Sequence, residues 1–341
     1  MEDCNKNDIK LGIHHTPGTF SERWIEYCQE NHINYKLVDA YQDDIVTQLQ
    51  DCTAFLWHHH HANYKDVLFA KQLSYSLQIS GKKVFPNFNT GWHFDDKVGQ
   101  KYLLESIGAP IVPSHVFFSK EDALKWAEGA KFPQVFKLRG GAGAFNVKLI
   151  HTKQEAYTVI KRAFGKGFLQ YDGRTYLKEA YNSYRNKKGD LMGVFKGLVR
   201  LIIPTQYSRM HGREKGYVYF QDFIPNNLFD IRVIVIGNKA FSIKRLCRKN
   251  DFRASGSGNI LYEKAEQNEE CVRIAFDVNK KINSQCIAYD FVFKDKKPLI
   301  VEISYGFSMH GYDKCPGYWT EDMCWHEGPF IPQNWMIEQI L

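Results

Sequence analysis

Lys137 begins the first pattern in this sequence that suits a negatively charged ligand. It ends a short apolar run, and Gly140, Gly141 and Gly143 follow it closely. Glycines let the backbone approach a ligand and turn its amide groups towards an anion. The segment is not a P-loop, because no Gly-Lys-Ser or Gly-Lys-Thr follows, and residues 146–150 predict a strand rather than a helix. We therefore predict a phosphate-binding hairpin loop, with an ordinary tight turn as the alternative.

Two carboxylates lie in adjacent predicted strands later in the chain. Asp290 falls within the apolar run 287–293, and Glu302 falls within the run 299–304. A buried carboxylate without a partner is costly, so each of these needs a cation or hydrogen-bond donors. Magnesium prefers oxygen ligands and joins carboxylates to phosphates. Together with Lys137, the pair predicts a site for ATP and magnesium. The alternative is that both side chains face solvent.

Several basic residues could complete such a site. Lys97 begins a predicted helix, where it could reach a phosphate. Arg232, Lys244, Arg245 and Arg253 fall in one region and could hold an anionic substrate or the transferring phosphoryl group. Each of them, taken alone, fits a surface or ion-pair residue better than a ligand contact.

The composition is that of a globular protein. The 341 residues are 44% hydrophobic, and no apolar run reaches the roughly 20 residues of a membrane helix. The polar N-terminus lacks the apolar core of a signal peptide, so we expect a cytoplasmic protein. Its eight cysteines have no metal-ligand spacing and are expected to be reduced. The formal charge is +7, but Lys and Arg are dispersed, which argues against nucleic acid and suits a small anionic substrate.

Four consecutive histidines, at positions 58–61, follow a predicted strand. Loops after the strands of an α/β sheet commonly bind ligands. Adjacent histidines point alternately and seldom chelate one metal together. We therefore expect a substrate-facing or structural loop, with a zinc site as the less favoured reading.

The predicted elements place these residues in a mixed α/β chain. Residues 1–95 alternate strand-like and helix-like segments, which predicts a parallel layer. A helix is predicted over 95–108, a strand-rich region over 178–200, a helix over 267–283, and an irregular aromatic cap over 311–341. No internal repeat and no low-complexity tract is present.

Six stretches, in order, resemble the ATP-grasp superfamily, closest to the branch with glutathione synthase and the ribosomal-protein glutamate ligases. They span about residues 83–308 and comprise 96–110, 136–143, 219–224, 230–235, 251–255 and the two carboxylate strands. The resemblance implies an α/β (α+β) ATP-grasp fold with an N-terminal Rossmann-like domain at 1–95. A central lid subdomain at 96–222 and a C-terminal subdomain at 223–341 would follow.

The resemblance also implies roles for individual residues. Catalytic roles fall to Arg253, Lys137 and Arg232. Magnesium would be held by Asp290, Glu302 and Ser304, as one or two ions, with Mn²⁺ able to substitute. ATP would be bound by Lys97, Lys137, Gly140, Gly141, Ala142, Gly143, Gln221, Asp222, Phe223, Ile224, Asp230 and Lys244.

Three positions depart from the family pattern. Ser304 stands where the second metal strand usually has Asn, Ser255 replaces another Asn, and the hinge has Asp222 where Glu is common. A hydroxyl is still a hard oxygen ligand, but it is a poorer one than an amide carbonyl. The aromatic tail and the four histidines are not general features of the superfamily. They resemble a subfamily associated with bacterial surface polysaccharides.

The implied activity is ligation of a small carboxylate to an amine through an acyl phosphate. A phosphotransferase on the same fold and a nucleotide-binding module without turnover are the alternatives. The expected partners are small-molecule carboxylate and amine substrates, without nucleic acid or a membrane span. Relatives suggest a homodimer. Acceptor specificity is expected in the histidine loop, residues 205–216 and the aromatic tail.

Overall fold

The computed structural model describes residues 9–140, 146–169, 190–202, 212–248 and 251–341, and the single residues Leu177, Tyr181, Tyr184 and Met210. This part of the chain forms ten α-helices and four β-sheets, which confirms the predicted α/β (α+β) class. None of its helices is both long and apolar enough to cross a bilayer.

The first sheet is parallel and lies at the N-terminus, as predicted. Its strands run in the order β2-β1-β3-β4. Every residue of β3 is buried, because helices and the rest of the molecule cover both faces of the sheet. The elements are β1 (Lys10–His14), α1 (Phe20–Glu30), β2 (Asn34–Val38), α2 (Ile45–Gln48), β3 (Ala54–Trp57), α3 (Tyr64–Ile79) and β4 (Lys83–Phe85).

The second sheet is antiparallel, in the order β5-β10-β6-β7, and α6 and α7 cover one of its faces. A short pair, β8 with β9, stands beside it, and α8 falls between these two strands in sequence. The elements are α4 (Phe88–Gly91), α5 (Lys97–Ser106), β5 (Ser114–Phe117), α6 (Lys120–Gly129), β6 (Gln134–Lys137), β7 (Val147–Ile150), α7 (Lys153–Ala163), β8 (Phe168–Leu169), α8 (Leu191–Ile202), β9 (Arg213–Glu214) and β10 (Val218–Asp222).

The third sheet is antiparallel and carries the predicted carboxylate strands. Its order is β15-β14-β11-β12-β16-β17, and β13 pairs with β12. The elements are β11 (Phe229–Ile236), β12 (Lys239–Leu246), β13 (Ile260–Leu261), a 3-10 turn (Lys264–Glu266), α9 (Glu269–Ile282), β14 (Cys286–Lys294), β15 (Lys297–Ser304), β16 (Gly317–Thr320), β17 (Trp325–Glu327) and α10 (Pro332–Glu338).

The period of two along β11 decides what each face of this sheet contacts. Ile231, Val233 and Val235 pack against α9. Ile234 and Ile236 point to the opposite face and join one core with the first sheet and α10. Asp230 and Arg232 share that opposite face, at the end of the strand where the core gives way to a cavity.

Two predictions of local structure were wrong. The region 178–200 was expected to be mixed and strand-rich, yet its residues 191–200 belong to the helix Leu191–Ile202, and most of residues 178–189 lie outside the described residues. Asp190 caps it, since its Oδ1 accepts a hydrogen bond from the Gly193 N–H at 2.8 Å. The aromatic tail is not irregular either. Its residues form β16, β17 and α10. The side chains of Trp319 and Trp335 are buried in the core, and Pro332 begins the last helix.

The glycine segment is described only at its edges. β6 and β7 pair antiparallel, with Lys137 opposite Val147, so the predicted strand after the glycines is confirmed. Gly141, Ala142, Gly143 and Ala144 lie outside the described residues. The domain boundaries at 95/96 and 222/223 stay predictions.

Candidate functional site

A cavity of about 600 Å³ lies where the three large sheets meet. The loop after β3, the ends of β6 and β10, and one face of the third sheet form its walls. Predicted site residues that line it are Lys97, Lys137, Gln221, Asp222, Phe223, Ile224, Asp230, Arg232, Arg253, Asp290, Glu302 and Ser304.

Lys97 is held at the cavity by the start of α5. Asp96 is the N-cap, and its Oδ1 accepts a hydrogen bond from the Gly99 N–H at 2.9 Å. The Lys97 N–H donates to the Arg139 carbonyl at 3.0 Å, which ties α5 to the segment after β6. The side chain is buried, and its Nζ lies 3.1 Å from Glu302 Oε1. Burial lowers the pKa of Lys97, but the nearby charges of Glu302 and Asp95 outweigh it and raise the pKa overall.

Lys137 ends β6, in the middle of the second sheet. Its Nζ donates to Gln221 Oε1 at 2.7 Å, across to the neighbouring strand β10. Burial lowers the pKa of Lys137 to about 8, although the charges of Glu302 and Asp290 oppose the shift. A cation held here is poorly solvated, so a phosphate would be a favourable partner.

Asp290 and Glu302 face each other across β14 and β15. They are register partners, and the register shifts by one residue next to them. Ile300 and Ile303 both point into the core with α9, so Val301 is the extra residue of a β-bulge. Without the bulge Asp290 would stand opposite Val301. The bulge therefore places both carboxylates on the cavity face.

The two carboxylates have different partners. Asp290 is buried and accepts two hydrogen bonds from Arg232, at 2.6 and 2.7 Å. Arg245 Nη2 lies 2.9 Å from its second oxygen and also pairs with Asp230 at 2.6 Å. Burial raises the pKa of Asp290, but the two guanidinium groups outweigh this and hold the pKa well below its usual range. Asp290 therefore stays ionised and firmly oriented.

The donor set suits magnesium. Asp290 and Glu302 supply carboxylate oxygens, and the Ser304 hydroxyl, which donates to the Gly306 carbonyl at 2.9 Å, supplies a third hard oxygen. Each carboxylate has about four lone-pair sites, so the arginine contacts leave Asp290 able to accept further bonds. Within the described residues, no group of three or more His, Cys, Asp or Glu side chains has metal-binding geometry. The suitability of this site for magnesium therefore depends on two carboxylates together with the Ser304 hydroxyl.

The predicted hinge runs along one wall of the cavity. Gln221 is fixed on several sides, because its amide nitrogen also donates to Ser114 Oγ at 3.1 Å and to the Val301 carbonyl at 3.3 Å. Asp222 accepts from the Gln134 side chain at 2.9 Å. The apolar residues that line this part of the cavity are Val112, Val135, Val147, Phe223, Phe252 and Val292. A flat apolar ring with polar edges would fit between them.

Arg253 lines the cavity from the segment after β12. Its guanidinium pairs with Asp251 at 2.8 Å, and the Arg253 N–H donates to the same carboxylate at 3.0 Å. The local turn therefore orients the arginine.

Lys244 is not brought to the cavity with the others. It pairs with Glu266 at 2.7 Å and lies over the Phe229 ring. In β12 Arg245 stands opposite Asp230, so Arg245 shares the cavity face and Lys244 points to the other side of the sheet. The predicted ATP contact of Lys244 is corrected accordingly. Gly140 does not line the cavity.

The histidine loop supplies wall residues that were not chosen as site residues. His58, His60 and His61 line the cavity, and so does Glu22 on α1. The His58 ring stacks on Phe20 at 3.6 Å, and its Nδ1 accepts a hydrogen bond from the Phe20 N–H at 3.2 Å. Burial holds the pKa of His58 well below its usual range and lowers that of His61 to about 3. Their position in the sequence, directly after the apolar strand β3, is the feature that could have identified them as residues of the cavity wall.

Comparison with known proteins agrees with this architecture. Residues 206–317 match the sequence model described as the RimK-like ATP-grasp domain. No curated protein matches the chain by sequence. The fold is similar to that of a RimK domain ATP-grasp protein from Sphaerobacter thermophilus, with a TM-score of 0.55 and 14% identity over 97% of this chain and 98% of that chain.

Two further solved structures are similar over most of the chain. The D-alanine–D-alanine ligase from Bacillus anthracis, complexed with ATP, has a TM-score of 0.53 and 14% identity over 89% of this chain and 88% of that chain. The N5-carboxyaminoimidazole synthetase from Staphylococcus aureus has a TM-score of 0.52 and 16% identity over 89% of this chain and 72% of that chain. The chain therefore contains a segment that matches the RimK-like ATP-grasp domain by sequence, and its fold is similar to the folds of these three proteins.

Proposed function

We propose that this protein is an ATP- and magnesium-dependent ligase that joins a carboxylate to an amine. The observation that carries the proposal is the meeting of Lys97, Lys137, Asp290 and Glu302 at one cavity. These residues come from four separate elements. Two buried cations next to two carboxylates suit a nucleotide triphosphate with its metal.

ATP would lie between the second and third sheets. Its adenine would occupy the apolar part of the cavity beside the hinge residues Gln221 to Ile224, and Asp230 would lie near the ribose. The buried ammonium groups of Lys97 and Lys137 would bind the phosphates, and the segment 140–143 would cover them. Closure of such a cover would keep water from a reactive intermediate.

Asp290, Glu302 and Ser304 would hold magnesium, as one or two ions, and Mn²⁺ could take its place. The metal would neutralise phosphate charge that the lysines alone do not balance. Glu302 has a double role in this arrangement, since its carboxylate also pairs with Lys97. Binding of the nucleotide would therefore exchange an internal ion pair for contacts with phosphate and metal.

The reaction would proceed in two steps. A substrate carboxylate oxygen attacks the γ-phosphorus, and the bond to ADP breaks with its electron pair left on ADP. The amine nitrogen then attacks the acyl carbon, a C–N bond forms, and phosphate leaves with the electrons of the C–O bond and takes up the proton that the nitrogen loses. Arg253, Arg232 and Lys137 would stabilise the charge on the transferring group.

The substrates would occupy the part of the cavity next to the first sheet. An amino acid and a uronic acid both carry the required carboxylate, and a uronic acid would suit a role in surface-polysaccharide biosynthesis. Glu22 and the uncharged histidine loop line this region and could contact the amine and neighbouring hydroxyl groups. We place the protein in the cytoplasm, where ATP is available.

Mass spectrometry of a reaction with ATP, magnesium, and pools of amino acids, uronic acids and nucleotide sugars tests the proposal. We expect ADP and a product equal to two substrates minus water, with turnover abolished in Lys137→Ala and Glu302→Ala. Lys244→Ala is the matched control, because that lysine faces away from the cavity and should leave turnover intact. A product heavier by one phosphoryl group would identify a kinase instead. Unchanged turnover in Lys137→Ala would refute the site assignment.

A further inference from the structure

The positive charge of the chain is concentrated in the segment between β8 and β9. Lys and Arg occur throughout the sequence, but in most of it Asp and Glu nearly balance their charge. Residues 170–212 contain eight Lys and Arg and three Asp and Glu, a net charge of +5 out of the total of +7. The remaining residues are thus close to neutral. A segment of this charge attracts anionic surfaces.

Exposed apolar side chains are concentrated in the same segment. Among the described residues, eight of the nineteen exposed large hydrophobic side chains belong to it. Five of these lie on α8, at Leu191, Met192, Phe195, Leu198 and Val199, and the first three are exposed by 64%, 57% and 62%. A surface helix normally turns such residues towards a core.

The five side chains form one stripe along the helix. Leu191, Phe195 and Leu198 follow the spacing i, i+4, i+7, and Met192 and Val199 lie seven residues apart beside them. Lys196 is exposed at the edge of the stripe. The helix therefore presents an apolar face with one lysine at its edge, within a segment whose sequence is basic. This combination is typical of helices that lie in the plane of a membrane surface.

We propose that α8 docks on the surface of an anionic lipid bilayer. A bilayer satisfies both features at once, since its acyl region accepts the apolar stripe and its head groups pair with the basic residues. A second copy of the chain would satisfy only the first feature, because two segments with a charge of +5 would repel each other. This inference goes beyond the proposed ligase activity and does not depend on it.

The described ends of the segment, β8 and β9, pair with each other, and β9 contacts the residue that precedes the glycine segment. β9 carries Glu214, whose Oε2 accepts a hydrogen bond from the Arg139 N–H at 3.3 Å and from the Tyr217 hydroxyl. Arg139 immediately precedes the glycine segment.

Flotation of the full chain with vesicles tests the proposal. One set of vesicles is phosphatidylcholine alone, and the other is an equimolar mixture with phosphatidylglycerol. We expect binding to the mixed vesicles, little binding to the neutral ones, and weaker binding at high salt. Phe195→Ser removes apolar area without changing charge, and Lys196→Gln removes charge without changing the stripe. Each should weaken binding, Phe195→Ser by about tenfold.

Leu68→Ser on α3 is the matched control. Leu68 is 70% exposed, but it lies on the first sheet's side of the molecule and outside the basic segment. This variant should bind the mixed vesicles as the unaltered chain does. Absence of binding to either vesicle, equal binding to both, or unchanged binding of Phe195→Ser would overturn the proposal. Self-association without vesicles that Phe195→Ser abolishes would identify the stripe as an interface between copies, which also overturns it.

Discussion

At the scale of residues, two carboxylates that look alike in the sequence have different environments. Asp290 is buried between Arg232 and Arg245, and Asp230 completes a network of two positive and two negative charges. Glu302 is 34% exposed and pairs with the single cation Lys97. Removing one member of a buried ion pair leaves an uncompensated charge, and the cost is smaller when the removed group is itself partly exposed. Asp290 is therefore expected to support the fold as well as the site.

We predict that Asp290→Asn lowers the free energy of unfolding by about 3–5 kcal/mol, because it leaves Arg232 and Arg245 with one carboxylate fewer. Glu302→Gln should lower it by less, because Glu302 is itself partly exposed and its loss affects one buried cation, Lys97, rather than two. Both variants should lose magnesium-dependent ATP turnover. Denaturant unfolding of the two proteins side by side makes the comparison. Equal losses of stability would show that the arginine network is not holding Asp290.

Lys137 predicts a dependence of ATP binding on pH. Its pKa is lowered from 10.5 to about 8, so the folded protein loses this charge as the pH rises through 8. We expect the dissociation constant for ATP to rise about tenfold between about pH 7 and pH 9, as the protonated fraction falls. Calorimetric titration across this range measures it. Lys137→Arg, which keeps its charge, should give a flatter profile if it binds.

The same shift affects stability with a defined sign. Between pH 8 and 10.5 the unfolded chain holds the Lys137 proton and the folded chain does not. This group's contribution to stability therefore increases as the pH rises through that window. As the pH rises through this window, the ligand-free protein should become more stable, whereas its affinity for ATP should fall. If the stability of the ligand-free protein and its affinity for ATP both fell over this pH range, the assigned pKa of Lys137 would be contradicted.

At the scale of elements, the first turn of α5 and the bulge in β15 position the site. Asp96 caps the helix that begins with Lys97, and Val301 is the extra residue that turns Glu302 to the cavity. Lys97 and Glu302 then meet, although they are far apart in sequence. Bulges commonly redirect a side chain next to a functional site.

We predict that Asp96→Ala costs about 1 kcal/mol of stability through loss of the cap. It should also weaken ATP binding severalfold, because Lys97 loses its fixed backbone. Thr152→Ala is the matched control, since Thr152 caps α7 in the same way, at 3.2 Å, but lies outside the cavity lining. That variant should lose similar stability and keep its affinity for ATP. Equal affinities for ATP in the two variants would show that the cap of α5 does not contribute to nucleotide binding.

At the scale of the whole molecule, the first and third sheets share one core. Leu11, Phe20 and Trp24 belong to the same buried cluster as Phe241 and Met336. Arg23 on α1 adds polar links, since its guanidinium donates to Gln333 at 2.9 Å and pairs with Asp313 at 2.6 Å. The predicted N-terminal domain is therefore covered by residues from the other end of the chain.

We predict that residues 1–95 do not fold when they are produced alone. Their sheet would expose the apolar face that α10 and the third sheet cover in the intact protein. A proton–nitrogen NMR spectrum of the fragment should show poor dispersion. Addition of a second fragment, 96–341, should restore dispersed signals. A well-dispersed spectrum and a cooperative thermal transition for the fragment alone would establish it as an independent domain.

The sequence by itself determined the features that depend on neighbouring residues. The strand–helix alternation of the first sheet, the strand ending at Lys137, and the strands of Asp290 and Glu302 all follow from local periodicity. The resemblance of these segments to the ATP-grasp superfamily also predicted the fold. The individual roles of the site residues stay predictions.

Only the tertiary structure decided which side chains face one another. Arg245 rather than Lys244 joins the charge network, because the pairing register of β11 and β12 sets the facing of every second residue. The bulge at Val301, the burial that lowers the pKa of Lys137, and the contact of Lys97 with Glu302 likewise depend on distant strands. Facing and burial arise from pairing between segments remote in sequence, and local patterns carry no information about that register.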